Sequence, residues 1–299
     1  MWKKRRNFWD LLFRRKKSFT KKEHFFISID EIQEFEKKYG YFSEYPLVGK
    51  VSSGAEDVDL VKNLLEAIHP QLQTPEQRLF IVGEILTKVL AYRDLKVGMD
   101  ILIPFQEKKT LYTVEKVFDL WHGMPAFGLV PHKNSLSPIL LFRGTDFTFT
   151  SKRGLSSILS DLDFSGPGYT TFFNARHHLQ KWLKEKAKKG KKARVMGFSL
   201  GGAFASYVSL YERDNISLDE PSLVYHTPGV HRKIFIEWGQ VKAKHQPPLL
   251  VFIHPNDVVS KVGTILGSIY TISSKPQLPP LSAHVSLVSA QNEFACHGE

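Results

Sequence analysis

The sequence has 299 residues, 42% of them hydrophobic, which allows one large globular domain or one domain with an accessory segment. Its single cysteine excludes an internal disulfide framework, and no apolar run approaches the roughly 20 residues that cross a bilayer. The net charge is +11, but residues 1–22 hold ten lysines and arginines against one aspartate, so the rest of the chain is nearly neutral.

Residues 1–23 form a predicted tail in which positive charge is mixed with tryptophan, phenylalanine and leucine. A basic amphipathic segment with tryptophan can lie on an anionic membrane, which is one interpretation of residues 1–22. A solvated, disordered terminus explains the same composition, and a nuclear import signal or nucleic-acid arm is the least favoured alternative. The sequence shows no signal peptide and no membrane span, so we expect a cytoplasmic or peripheral membrane location.

Residues 24–95 have helical patterns. A first helix is predicted to end at Gly40, and a second to cover residues 57–68. A third begins with the capping box Thr74–Gln77, which has proline at the first helical position, and continues to about Tyr92. No residue of this region carries recognisable chemistry, so we predict a helical N-terminal accessory region.

Residues 96–299 change to short β-branched and aromatic runs, which alternate with helical patterns in the second half. The predicted strands cover 111–120, 126–130, 137–142, 193–196, 222–226 and 249–253. An amphipathic helix is predicted over residues 169–188. Strands that alternate with helices indicate an α/β fold, with a mostly parallel central sheet and helices on its faces.

The segment Gly197-Phe198-Ser199-Leu200-Gly201 reads Gly-x-Ser-x-Gly, with a predicted strand before it and a predicted helix after it. In that context the serine lies on a sharp turn that projects its hydroxyl above the sheet. Gly197 and Gly201 supply the nearly side-chain-free positions that so tight a turn needs. The bare pattern has many chance matches, so the flanking strand and helix are what favour Ser199 as a nucleophile.

A serine nucleophile needs a base and a group that orients the base, and in this fold type the chain order is serine, acid, histidine. Among the acids after Ser199, only Asp257 closely follows a buried apolar strand, which predicts a position at the same edge of the sheet. Two histidines come later, His284 and His297. We predict His284 as the base, because His297 is next to the C-terminus, where chains fray.

The oxyanion formed in acyl transfer needs preorganised N–H donors. The amide of Leu200 follows the serine at a helix N-terminus and is one candidate. The second candidate lies in Arg143-Gly144-Thr145, the loop after an earlier predicted strand, although a polar turn is the alternative explanation of that loop.

These segments, together with Asp161-Leu162, Thr227-Pro228-Gly229 and Asn256-Asp257-Val258-Val259, resemble the class 3 (fungal-type) lipase family of α/β-hydrolases from about residue 100 onward. The family often has histidine where Phe198 stands. The resemblance implies an α/β-hydrolase fold and ester hydrolysis on lipids. It also implies that residues 147–160 form a lid over the acyl groove.

For the site, the resemblance implies Ser199, Asp257 and His284 as the catalytic triad. It implies Thr145 and Leu200 as the oxyanion donors. No metal and no cofactor are expected, since such a triad works through side chains, backbone amides and water.

We therefore expect a serine hydrolase that cleaves acyl esters of lipids such as triacylglycerol, monoacylglycerol or phospholipid. The alternative is a catalytically silent hydrolase fold that binds lipid or protein and is targeted to membranes by its basic tail. Binding alone does not require a triad and two elbow glycines, which favours the enzyme. The expected partners are a lipid ester and, through residues 1–22, an anionic membrane surface; no nucleic-acid partner is expected, and the sequence does not indicate an oligomeric state.

Overall fold

The computed structural model describes residues 58–68, 74–105, 110–120, 124–133, 136–145, 166–275, 278–290 and 293–298. The predicted basic tail, the helix predicted to end at Gly40, the Asp161-Leu162 pair and the predicted lid at 147–160 lie outside these residues. None of the helices formed by the described residues has the length and apolarity that crossing a membrane requires.

Within the described residues, nine strands form one sheet in which the spatial order of the strands follows the chain. The strands are β1 (Asp100–Ile103), β2 (Thr110–Asp119), β3 (Pro125–Pro131), β4 (Ile139–Phe142), β5 (Arg194–Phe198), β6 (Ser222–Tyr225), β7 (Leu249–Ile253), β8 (Ser268–Lys275) and β9 (Glu293–Gly298). Strands β4 to β8 are parallel to one another. Strands β1 to β4 form an antiparallel meander, and β9 pairs antiparallel with β8.

This sheet confirms the α/β-hydrolase fold class with a parallel centre. Three of its strands, β1, β8 and β9, were not predicted from the sequence. The expectation that His297 lies in a fraying end was wrong, because the backbone of His297 pairs with Thr271 across β9 and β8.

The helices of the described residues are α1 (Leu60–Ile68), α2 (Pro75–Lys88), α3 (Tyr169–Lys188), α4 (Leu200–Tyr211), α5 (Arg232–Gln240) and α6 (Pro280–Val285). The predicted capping box is present at the start of α2, where the Thr74 hydroxyl and the Gln77 side chain each accept the other residue's amide. A 3₁₀ turn, Leu90–Tyr92, follows α2, and the bounds of α3 agree with the prediction.

The two faces of the sheet are covered by different parts of the chain. The parallel strands β4 to β8 lie side by side in the order of the chain, and connections between parallel strands are right-handed. Every connection therefore crosses on the same face of the sheet, which places the helices α3, α4 and α5 there. There Val195 of β5 and Phe204 of α4 belong to one buried cluster. The next residue, Met196, points to the opposite face and shares a second buried cluster with Val61 of α1 and Phe80 of α2.

The crossovers leave this second face open, and α1 and α2 cover it. The described helices of the predicted accessory region are therefore a layer of the same fold and share its core. The division of the chain into a tail, a helical region and a hydrolase domain stays a prediction.

The parallel centre of the sheet brings four chain segments to one edge. Arg143, Ser199 and His226 directly follow β4, β5 and β6, and Asp257 follows β7 after a short turn. Because the carboxyl ends of parallel strands lie at the same edge, side chains of these segments can meet there, which is where α/β sheets bind ligands.

Candidate active site

Ser199 lies on a sharp turn between β5 and α4. Its backbone has φ 53° and ψ −127°, a conformation that residues other than glycine rarely adopt and that persists only where the surroundings enforce it. A Cβ atom on Gly197 would lie 2.1 Å from the carbonyl oxygen of Gly201, and one on Gly201 would lie 2.8 Å from the carbonyl oxygen of Phe142. Both positions therefore require glycine, as the sequence predicted for a tight elbow.

Three side chains from separate elements form a hydrogen-bonded chain at this turn. His284 of α6 places Nε2 3.0 Å from the Oγ atom of Ser199. Its other ring nitrogen, Nδ1, lies 3.0 Å from Oδ1 of Asp257. The structure thus brings together the three residues that the order of the motifs selected, and all three are buried.

The environment of Asp257 fixes which atoms carry protons. Its Oδ1 also accepts the amide of Val259 at 2.9 Å, and its Oδ2 accepts the Ser260 hydroxyl and lies 3.2 Å from Nδ1 of His226. An ionised carboxylate only accepts, so Nδ1 of each imidazole must be the protonated nitrogen. Nε2 of His284 is then a lone-pair acceptor for the Ser199 hydroxyl, which is the tautomer that a general base needs.

The same contacts keep Asp257 charged. Burial by itself would raise the pKa of the carboxyl, but the charge interaction with His284 and the hydrogen bonds from both imidazoles hold the pKa far below its usual range. The result is a fully buried carboxylate that accepts four donors and stays ionised at neutral pH.

His226 is a member of the site that the sequence analysis missed. It directly follows β6, has φ 49° and is fully buried. Burial and the nearby charge of Lys88 lower the pKa of His226 to about 4, although the hydrogen bond to Asp257 acts to raise it. His226 is therefore neutral at physiological pH. Its Nε2 has no hydrogen-bond partner among the described residues. Its position directly after a parallel strand, as for Ser199, is the signal that could have found it.

His226, Asp257 and His284 also bring metal-ligand atom types within 4.8 Å of one another. Each imidazole Nδ1 faces a different oxygen of the carboxylate at hydrogen-bond distance. The two imidazole N–H groups donate to the two oxygens of one ionised carboxylate, so the cluster is a hydrogen-bond network.

The loop after β4 lies against the serine. A Cβ atom on Gly144 would be 3.3 Å from the Cβ atom of Ser199 and 2.6 Å from the carbonyl oxygen of Phe198. The carbonyl of Thr145 accepts the hydroxyl of Tyr92 at 3.2 Å, which ties the loop to the turn after α2. Leu200, on the other side of the serine, is the first residue of α4, where backbone amides lack partners within the helix. The two predicted oxyanion donors thus belong to the segments that flank Ser199, and their role stays a prediction.

Comparisons with known proteins support the fold. No protein-family model matches the sequence, and no curated protein matches it. A solved fungal lipase has a TM-score of 0.50 and 19% sequence identity, with 72% of this chain and 87% of that chain covered. A mutant of MDLA from Penicillium cyclopium has a TM-score of 0.49 at 19% identity, with the same 72% and 87% coverage.

The Rhizomucor miehei lipase propeptide complex has a TM-score of 0.43 at 18% identity, with 60% of this chain and 66% of that chain covered. The match therefore spans just under two thirds of that neighbour's length. At these identities the likeness to the fungal lipase shows a shared fold. This agrees with the fold that the sequence motifs implied.

Proposed function

We propose that this chain is a serine hydrolase of the class 3 lipase type, which cleaves acyl esters of lipids. The observation that carries the proposal is the series of hydrogen bonds from the Ser199 hydroxyl through His284 to Asp257. Ser199 lies on a strained turn that has glycine two residues before it and two residues after it. The fungal lipase fold supports a lipase-type reaction, and the lipid substrate class is part of the proposal.

In the proposed reaction, His284 Nε2 removes the proton of the Ser199 hydroxyl while Oγ attacks the ester carbonyl carbon. The carbonyl π electrons move to oxygen, and the amides of Leu200 and Thr145 stabilise the resulting oxyanion. The imidazolium is held by the charged Asp257 and then protonates the leaving alcohol, whose bond to the acyl carbon breaks. Water, deprotonated by the same nitrogen, hydrolyses the acyl-enzyme and returns the serine.

The substrate class can be tested by fatty-acid release from emulsified triacylglycerol, monoacylglycerol and phosphatidylcholine. We expect release from at least one of the three by the wild-type protein and none by Ser199→Ala. Thr145→Ala should retain activity if only its backbone amide binds the oxyanion, and should lose roughly a hundred-fold or more if its hydroxyl is the donor. Release by Ser199→Ala at the wild-type rate would contradict Ser199 as the nucleophile. No release from any of the three lipids by the wild-type protein would favour the silent binding fold.

We further propose that residues 1–22 hold the protein on anionic lipid surfaces, since positive charge and aromatic side chains share this segment. Deleting them should weaken binding to phosphatidylserine vesicles, and added salt should release the full-length protein. Equal binding by the full-length and truncated proteins would contradict the proposal.

A further inference from the structure

A buried ion pair on α2 lies next to the candidate active site. Glu84 and Lys88 are fully buried, and Lys88 Nζ lies 2.8 Å from Glu84 Oε1. Residues four apart share one face of a helix, and here that face points into the core. A buried ion pair is stable only when further hydrogen bonds offset the lost hydration. In this structure those further bonds all go to one distant segment of the chain.

That segment is the backbone just after α6. Lys88 Nζ donates to the carbonyl oxygen of Ser286 at 2.6 Å. The carboxylate of Glu84 accepts the amides of Val288 and Ser289 at 2.9 Å and 3.0 Å. A buried loop must find partners for its backbone groups, and the ion pair supplies them for both a carbonyl and two amides.

His284 depends on such external ties because α6 is six residues long, too short to be stable without tertiary contacts. Before α6, the side-chain amide of Asn256 donates to the carbonyl of Leu278 at 2.8 Å. After α6, Lys88 and its partner hold the chain. The imidazole therefore lies between two fixed points, and its distance to the Ser199 hydroxyl is set by them.

The ion pair is itself on a rigid support. Phe80 and Ile85 of α2 are buried in the core, and the hydroxyl of Tyr225 donates to the Phe80 carbonyl at 2.7 Å, which ties α2 to β6. Lys88 Nζ also lies 5.4 Å from the ring centre of Phe198, the neighbour of the nucleophile. The helix thus contacts both sides of the serine–histidine pair.

The carboxyl group of Glu84 is ionised, and Lys88 Nζ donates to it. Burial alone would raise the pKa of Glu84, but the ammonium of Lys88 and the hydrogen bonds at Ser289 lower it below its usual value. Burial lowers the pKa of Lys88, and Glu84 and Asp257 oppose that shift. The carboxylate therefore accepts three donors in its charged form, the state in which such bonds are strongest.

We infer that Glu84 and Lys88 are positioning residues for the base, His284. They hold the segment after α6 so that the imidazole stays within hydrogen-bond distance of Ser199. The inference rests on the proposed function for its kinetic consequence. It gives α2, in a region where the sequence showed no chemistry, a part in the candidate site.

The test compares three variants of the full-length protein, Glu84→Gln, Lys88→Met and the double variant. Each single variant leaves an unpaired buried charge and should lower the melting temperature. The double variant removes both charges and should recover most of the lost melting temperature, since buried ion pairs can often be replaced without loss of stability. A matched control is Glu212→Gln, which breaks the buried carboxylate's pair with Arg176 at the far end of α4.

The readouts are kcat and KM for a soluble p-nitrophenyl ester below the melting temperatures, and hydrogen exchange of the backbone after α6. A misplacement of about 1 Å costs about a hundred-fold in rate. We therefore expect kcat to fall ten- to a hundred-fold in all three variants, with KM unchanged. The amides of Val288 and Ser289 should exchange faster whenever Glu84 is replaced. Glu212→Gln should lower the melting temperature and leave kcat unchanged.

A double variant with recovered stability and wild-type kcat would overturn the inference, because the pair would then be structural only. Unchanged exchange at Val288 and Ser289 in Glu84→Gln would overturn it as well. If Ser199→Ala turns over the ester as fast as wild type, the proposed function fails instead. The exchange measurement still decides whether Glu84 holds the segment, since it does not depend on hydrolysis.

Discussion

Replacing Asp257 by asparagine should cost less activity than the loss of a triad acid usually does. Oδ1 of Asp257 accepts the fixed amide of Val259 as well as His284, so an asparagine must place its oxygen there and its NH₂ group on the other side. On that side the NH₂ group meets the hydroxyl of Ser260, which can accept, and Nδ1 of His226, which can accept once the neutral imidazole moves its proton to Nε2. The oxygen therefore continues to hold His284 in the correct tautomer.

What the asparagine loses is the negative charge opposite the imidazolium. Nδ1 of His284 and Oδ1 of Asp257 are 3.0 Å apart, so the centres of the two charges are about 4 Å apart. At an effective dielectric constant of about 20 this attraction is about 4 kcal/mol. Its loss corresponds to about a thousand-fold in rate. A wrong tautomer would bring the loss to about ten-thousand-fold.

The assay is kcat/KM for a short-chain p-nitrophenyl ester at pH 8, measured for Asp257→Asn and Asp257→Ala. We expect the asparagine variant to be about tenfold more active than the alanine variant, which has no acceptor for His284. Equal activity of the two variants would refute the argument that Val259 orients the amide.

Two further predictions concern the elbow and the second histidine. Gly197→Ala should abolish activity and destabilise the fold by about 1–3 kcal/mol, because its Cβ would lie 2.1 Å from the Gly201 carbonyl oxygen. The control is Gly239→Ala on α5, where an added Cβ atom meets nothing within 4 Å. This variant should keep wild-type activity and have unchanged or slightly higher stability. Equal unfolding curves for the two variants would contradict the steric argument. His226 has a pKa of about 4 when folded and 6.5 when unfolded, so its stabilising contribution is present above pH 6.5 and is lost as the pH falls toward 4. The free energy of unfolding, measured with denaturant, should fall by about 3 kcal/mol between pH 7 and 4 because of His226 in the wild type, and this part of the fall should be absent in His226→Asn. An equal fall of the unfolding free energy in both proteins would contradict a buried neutral imidazole.

The parts of the site that the sequence revealed are those marked by local chain geometry. Gly197 and Gly201 mark a turn that admits no side chain, and a turn of this kind is visible in five residues. Asp257 could be selected because the carboxyl ends of parallel strands meet, and the end of an apolar run is easy to locate. The capping box at Thr74 is equally local, and it was predicted correctly.

The residues that the sequence did not reveal depend on contacts between distant segments. Glu84 and Lys88 are four apart on a helix, a spacing that is typical of a solvent-exposed pair. Their partners lie 198 to 205 residues further along the chain, and no local pattern encodes that distance. The strands β8 and β9 were missed for a related reason, since β9 is at the edge of the sheet and β8 is next to it, and their pairing joins segments about 25 residues apart in the chain.

The most direct test of the central claim is the covalent labelling of Ser199. The full-length protein is treated with a fluorophosphonate, and the adduct is located by mass spectrometry of the intact chain and its peptides. We predict one adduct, on Ser199, that is absent in Ser199→Ala, forms much more slowly in His284→Ala and forms at the wild-type rate in His297→Ala. No adduct on the wild-type protein, or an adduct that persists in Ser199→Ala, would contradict the account.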